Sequence, residues 1–430
     1  MTFHRSHYNR EINETVVGKT VTIAGWIEDI RDIGKIVFLI IKDITGTVQV
    51  VVQKNKIEDI NGIPRQSALI IEGVVQKSMA KDFPFEIKMD KIVYINKAIH
   101  PLPIDPTGRV ESSFDKRLDS RALDLRNQTT SSIFLIRSKT LEIIRNYFRD
   151  LRFIEVNTPK IIGSASEGGA NLFGFDYFKS KGYLAQSPQL YKEQLILALD
   201  RVFEISHYFR AENSNTVRHL SEFLSIDIEA AFLDYKDIMN IMEELIKKLF
   251  VTIKEYIINE NLILEKPIIE IDERKKFEQI TYNQCIIELN KLGEDIKFGE
   301  DLSDLALRKL GEKFNGFFFI TDWPLNLKPF YIHEHDDDER LSKSFDLQFG
   351  YLELISGGTR QHDPKKLKSR LLEQNLDPKN FEDHLKTFEW GMPPHSGCGL
   401  GLDRLLMVLT NSNNIREVVL YPRDPDRITP

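Results

Sequence analysis

The sequence predicts an α+β protein, with a small all-β module over its first hundred residues and then a larger mixed domain organised around one charged hairpin. Three observations carry that expectation. Residues 1–105 contain five short segments with strand patterning and no helical one, residues 208–229 contain two alternating segments around a polar loop, and a 3.6-residue apolar period appears only from Ser132 onward. With 430 residues, 41% apolar and 29% charged, the composition suits a globular enzyme of two or three domains. No run of eighteen apolar residues is present, and MTFHRSHYNREINE lacks the apolar core of a signal peptide. Only Cys285 and Cys398 occur, which excludes a disulfide framework and a Cys-rich zinc site, so a cytoplasmic location is expected.

The net charge of −7 argues against a generally basic nucleic-acid binder. It is unevenly spread, because residues 1–105 carry 14 basic against 13 acidic side chains and the remainder 44 against 52. Contact with a nucleic acid would have to use local patches.

In the first module the strand segments are VTIAGWIEDIR, KIVFLIIKDITG, TVQVVVQ, ALIIEGVVQ and FEIKMDKIVYIN. Turn signals at Asp32 to Gly34, at Thr45-Gly46 and around Asn61, Gly62 and Pro64 separate them. Five short strands without a long helix suggest a Greek-key barrel of the OB type, a scaffold that stacks single-stranded bases on aromatics. Arg31, Phe38 and Gln49 would lie on adjacent strands of one sheet. A lone strand phenylalanine such as Phe38 is, by itself, more often a core residue.

Residues 106–130 lie in a Pro-rich and charged stretch that reads as a hinge, giving a division into 1–105, 106–130 and 131–430. Amphipathic helical patterns follow from Ser132 to about Phe153, through 236–258, through 366–389 and from Gly401 to Thr410. Pro159 follows an extended FIEVNT segment. The acidic run HEHDDDE at 333–339 reads as a solvated loop with a weak metal alternative in its two histidines.

The hairpin YFRAENSNTVRHLSEFLSIDIE places Arg210, Glu212, Arg218, His219, Glu222, Asp227 and Glu229 within 22 residues. Unpaired charges on one face weaken a sheet, so this concentration suggests a polyanionic ligand with a metal. A second stretch, SFDLQFGYLELISGGTRQH, spaces Asp346, Glu353 and Arg360 by seven. Two carboxylates beside a triphosphate are the usual way to hold Mg²⁺, although surface charges on a strand read equally well here. A third, MPPHSGCGLGLDRLLMVL, joins glycines at 391, 397, 399 and 401 to an apolar helix, so that backbone can approach a flat ligand and Arg404 faces it from the first turn. It lacks the βαβ context of a dinucleotide loop.

These stretches resemble a known family. FRAENSNTVRHLSEF looks like motif 2 of the class II aminoacyl-tRNA synthetases, GLGLDRLLMVL with IREVVLYPRD looks like motif 3, and the helix ending in FIEVNTPKI, with Pro159, resembles motif 1. The motif order and the N-terminal barrel resemble the aspartyl, asparaginyl and lysyl subgroup. SASEGGA, QSPQLYKE, SGGTRQH and PRDPDRITP are similar to the short, archaeal type of aspartyl-tRNA synthetase. The resemblance implies an OB-fold anticodon-binding domain and a catalytic antiparallel sheet flanked by helices. It also implies a homodimer through the motif 1 helix and the strand around Pro159.

The implied reaction joins aspartate to ATP and then transfers the aspartyl group to the 3′ end of tRNA, with Mg²⁺ as cofactor. By resemblance Arg210 stabilises the α-phosphate centre, and Glu212 meets the adenine edge. Phe223 and Arg404 sandwich the ring; Arg218, His219 and Arg404 hold the outer phosphates; and Leu220 and Gly401 complete the ATP site. Glu353, with Ser356 and Asp346, matches the metal position. Lys192 and Arg360 match the pair that grips the aspartate side chain; Glu167 and Asp227 take the ammonium group; Ser187, Gln189, Arg210 and Ser356 line the pocket. Ser225 stands where many bacterial relatives have Gln.

Two rivals remain open. The resemblance extends to asparaginyl enzymes, which have an apolar residue at the Lys192 position and a Thr where this chain has Asp424. A non-catalytic tRNA-binding relative would usually lose the ATP-binding arginines, whereas Arg210 and Arg404 are both present. In the barrel, Arg31, Phe38 and Gln49 match the family's anticodon readers, with the Phe stacking on the middle base. The tRNA range stays open, because Trp26 matches relatives that charge only the aspartate tRNA, while Pro84, displaced by two residues, points to those that also charge the asparagine tRNA.

Overall fold

The computed structural model describes residues 4–163, 172–212 and 216–430, which divide into two units, Met1–Asp124 and Leu125–Pro430. In the first unit, β1 (Thr20–Asp32), β2 (Ile36–Lys42), β3 (Thr47–Gln53), β4 (Ala68–Ala80) and β5 (Phe83–Asn96) close into a barrel of order β1-β2-β3-β5-β4. Closure leaves no unpaired edge. Period-two alternation fills the barrel with Val37, Leu39, Ile41, Val48, Val50 and Val52 and turns Phe38 and Gln49 to its outer face. Beyond the barrel, α1 (Phe114–Asp119) and α2 (Arg121–Asp124) form within the stretch expected to be a hinge. Arg117 and Arg121 both reach Asp124, each at 2.9 Å, which fixes that stretch as a folded corner.

The second unit opens with α3 (Gln128–Asp150), β6 (Ile154–Glu155), β7 (Ile161–Ile162), β8 (Gly174–Tyr177) and β9 (Ser180–Leu184). Then come α4 (Gln189–Leu199), β10 (Arg201–Phe209), β11 (Glu222–Ala231), α5 (Tyr235–Asn259), β12 (Glu278–Thr281), α6 (Tyr282–Lys291), α7 (Asp304–Phe314) and β13 (Phe317–Thr321). The unit ends with β14 (Ser344–Phe349), β15 (Leu352–Thr359), α8 (Pro364–Glu373), α9 (Glu382–Phe388), β16 (His395–Gly401) and α10 (Leu402–Leu409). Among the described residues the main sheet has eight strands in the order β12-β13-β14-β15-β16-β11-β10-β6, antiparallel except at its two ends.

One face of this sheet is the core. Ile226 and Ile228 of β11, Ile355 of β15 and Cys398 and Leu400 of β16 pack against α3, α5 and α10. The alternate residues, Ser225, Asp227 and Glu229 with Gly397, Gly399 and Gly401, therefore face the other side. That side carries the site.

Three expectations need correction. The pattern at 366–389 is two helices, because Asn375 adopts a left-handed conformation at φ 58° and Pro378 restarts the chain in a single turn. Gly391 lies outside the glycine strand, in a turn at φ 88°. The acidic run is not wholly solvated, since Glu334 is buried and accepts from Gln361 and Lys366.

Candidate active site

A cavity of about 280 Å³ opens on the charged face of the sheet, lined by α4, the hairpin loop and its second strand β11, β15, β16 and the first turn of α10. Its deep end is built from paired charges. Lys192 Nζ lies 3.2 Å from Asp227 Oδ1 and 3.4 Å from Glu229 Oε2, and donates to the carbonyls of Ile228 and Cys398, each at 3.3 Å. Arg360 meets both oxygens of Glu229, at 2.9 and 3.2 Å. Burial of Arg360 lowers its pKa, but the Glu229 carboxylate more than offsets this, so the guanidinium is held charged. A β-carbon on Gly397 would fall 2.2 Å from Glu229 Oε2, so only glycine lets this carboxylate sit against the strand. Ser225 Oγ donates to Asp227 Oδ2 at 2.7 Å. Ser187 and Gln189 line the same end, whereas Glu167 lies outside the described residues.

The open end carries looser cations. Arg210 is 3.9 Å from Glu212 and lies over the Phe223 ring at 5.3 Å. Arg404 donates to the carbonyls of Glu353 at 2.9 Å and Arg218 at 3.4 Å. Arg218 pairs with Asp304 and lies over Tyr351. His219 Nδ1 is 2.6 Å from Thr216 Oγ1, and burial together with the charges of Arg404 and Arg218 lowers its pKa, keeping the ring neutral near pH 7. Leu220 and Gly401 complete the lining.

The metal expectation centres on Glu353. A register shift beside Leu347 and Gln348 leaves Leu354 as an extra residue in β15, so Glu353 and Ser356 both line the cavity although three residues apart. Burial, and then the charge of Asp346, raises the pKa of Glu353, although its carboxylate reaches water through the cavity. Asp346 is opposite Ser356 in register but buried; its Oδ2 is 2.8 Å from Lys328, and its Oδ1 has no hydrogen-bond partner. Among the described residues no group of three or more His, Cys, Asp or Glu converges. Two carboxylates, one with a free buried oxygen, fit a cation that keeps most of its waters.

Several participants were not picked out from the sequence. Glu229 stood out as a strand carboxylate, but its role as the shared partner of Lys192 and Arg360 needed strand pairing. Gln186 is buried, lines the cavity and has neither amide atom hydrogen-bonded; its position beside Ser187 in QSPQ was the available signal. Lys328 and Tyr331 arrive from a loop without periodicity.

The barrel brings its three expected readers onto one surface. Arg31 is the register partner of Phe38, and Gln49 is the partner of Ile40, two residues along the same strand. Gln49 donates to Glu86 at 2.7 Å. Trp26 pairs with Lys42 and Ala68 in register, and Pro84 is exposed on β5.

Comparison with known proteins agrees with this arrangement. The family described as tRNA synthetases class II (D, K and N) matches residues 113–425, and an OB-fold nucleic acid binding domain matches residues 21–95. The chain is 43% identical to the aspartate–tRNA(Asp/Asn) ligase of Methanocaldococcus jannaschii, covering 100% of this chain and 99% of that protein. It is 42% identical to the aspartate–tRNA(Asp) ligase of Pyrococcus horikoshii, covering 99% and 100%. The structure of asparaginyl-tRNA synthetase from Pyrococcus horikoshii with asparaginyl-adenylate superposes at a TM-score of 0.93 with 34% identity, over 100% of both chains. An OB barrel, an antiparallel floor of paired charges and full-length likeness converge on one assignment: the chain belongs to the class II tRNA synthetases of the D, K and N group.

Proposed function

We propose that this chain is an aspartate–tRNA ligase, which forms aspartyl-adenylate from L-aspartate and ATP and passes the aspartyl group to tRNA. The observation that carries the reading is the pair of buried cations, Lys192 and Arg360, held at the closed end of the cavity. A substrate carboxylate complements them. An asparagine amide would leave cationic donors partly unmatched in a desolvated site, a penalty of about 1–3 kcal/mol per lost charged contact. Likeness to an asparaginyl enzyme structure supports the rival, and the charge of Lys192 weighs against it.

Arg210 would stabilise charge developing at the α-phosphate, and Arg218, His219 and Arg404 would bind the outer phosphates. Glu353 and Ser356, with Asp346, would hold Mg²⁺, whose charge offsets that of the departing pyrophosphate. Residues 1–105 would read the anticodon through Arg31, Phe38 and Gln49, residues 106–130 would join the two parts, and residues 131–430 would carry the chemistry. A homodimer is supported by the exposed apolar side chains Ile161, Tyr177 and Phe178 on and beside the short strands. No helix among the described residues is long and apolar enough to cross a membrane, which agrees with a cytoplasmic role.

Pyrophosphate exchange with aspartate but not asparagine tests the activity; exchange with asparagine alone refutes it. Relatives named for one tRNA and for two are similarly close, at 42% and 43% identity, so charging of purified aspartate and asparagine tRNAs fixes the range.

A further inference from the structure

A second set of buried ionisable groups stands behind the amino-acid end of the cavity. Glu193 is fully buried on α4, one turn beyond Gln189, and Gln189 Nε2 donates to Glu193 Oε1. The other carboxylate oxygen faces His384 Nε2 of α9 at 3.3 Å and His395 Nε2 of β16 at 4.0 Å. Arg360, just after β15, adds its charge to the same side. Gln194 Nε2 lies 3.4 Å from His384 Nδ1, while Glu193 Oε2 and the two Nε2 atoms, though close, are not hydrogen-bonded to one another. His395 Nδ1 donates to the Pro393 carbonyl at 2.8 Å.

This arrangement sets the orientation of a side chain in the cavity. An ionised carboxylate only accepts hydrogen bonds, so Gln189 must turn its amide nitrogen to Glu193 and its carbonyl oxygen away. Gln189 lines the cavity beside Ser187, where an acceptor suits an ammonium group. With Glu193 neutral, the amide could flip and present a donor instead. We infer that Glu193, with His384 beside it, is a positioning residue that locks the Gln189 amide so that its oxygen receives the α-ammonium group of the substrate. The inference rests on the reading of this cavity as an amino-acid site. The opposing pulls on Glu193 agree with it: burial favours the neutral acid, and the His384 and His395 sides with Arg360 overcome this, lowering its pKa.

The test is pyrophosphate exchange by the full-length enzyme. Glu193→Gln should raise KM for aspartate about tenfold and leave KM for ATP within about twofold, as expected for loss of one oriented contact to a charged group. Combined with Gln189→Ala it should add almost nothing to the loss from Gln189→Ala alone, because the two act through one contact. Equal shifts in both KM values, or full additivity, would overturn the inference. If Glu193→Gln does not fold, His384→Asn carries the same test, with a smaller rise confined to the amino acid; an unchanged KM there refutes the proposal. Wild-type exchange with asparagine instead of aspartate would refute the substrate assignment alone, and the same double-mutant comparison would then be read with asparagine.

Discussion

The two ends of the cavity solve the problem of holding charge in opposite ways. At the closed end Lys192 and Arg360 have side chains only 3% exposed, and each is bound to Glu229, which is fully buried. At the open end the Arg210 and Glu212 side chains are 45% and 41% exposed and 3.9 Å apart. Buried cations without partners would be prohibitively costly, so the closed end must be built with its counter-charges in place. An exposed arginine such as Arg210 needs no such support. Under the proposed roles, selection is preorganised and phosphate binding is adaptable.

The largest effect should come from the closed end. Lys192→Leu leaves Asp227 and Glu229 with one cation fewer, and aspartate-dependent exchange should fall by at least about 10³-fold while ATP binding by calorimetry persists. Retained aspartate activity in that variant would sink the pocket assignment. At the open end, Arg210→Ala should cost about 10²–10³ in kcat with no change in Tm, because its side chain is half exposed and supports no buried partner. A parallel fall in Tm would erase the contrast between the ends.

The barrel supplies a control that neither end touches. Phe38→Ala should spare exchange and weaken tRNA charging by about 5- to 150-fold, the equivalent of about 1–3 kcal/mol for one stacked base. Equal loss of both activities would refute the division of labour. The smallest effect, one on stability, is expected at Glu353. Its folded pKa is raised, first by burial, so the folded state holds a proton that the unfolded chain has already released. Stability is then lost as pH rises from the ordinary carboxylate range through that raised value. Glu353→Gln should show a flatter dependence of Tm on pH over this window and a small gain at neutral pH, together with lower exchange activity; identical pH slopes would contradict the shift.

Much of this was legible in one chain. Alternation alone placed Ser225, Asp227 and Glu229 on one face of β11, because side chains on a strand repeat every two residues whatever surrounds them. The five barrel strands were readable for the same reason, and Arg210, Lys192, Arg360 and Arg404, marked by the motifs, all line the cavity. The split of the 366–389 pattern was not read, because its apolar period runs across the break at Asn375 and Pro378.

What only the tertiary structure decided is which charges meet. Lys192, Glu229 and Arg360 come from a helix, a strand and a strand end spread over 169 positions, and no local pattern encodes their contact. The extra residue at Leu354 turns Glu353 and Ser356 to the same side, against the period of a regular strand. Arg210 comes to rest over the Phe223 ring, a contact that follows from the pairing of the two hairpin strands. Periodicity is a property of the backbone and is written locally. Charge pairing depends on burial and on register between distant strands, and it exists only once the sheet has formed.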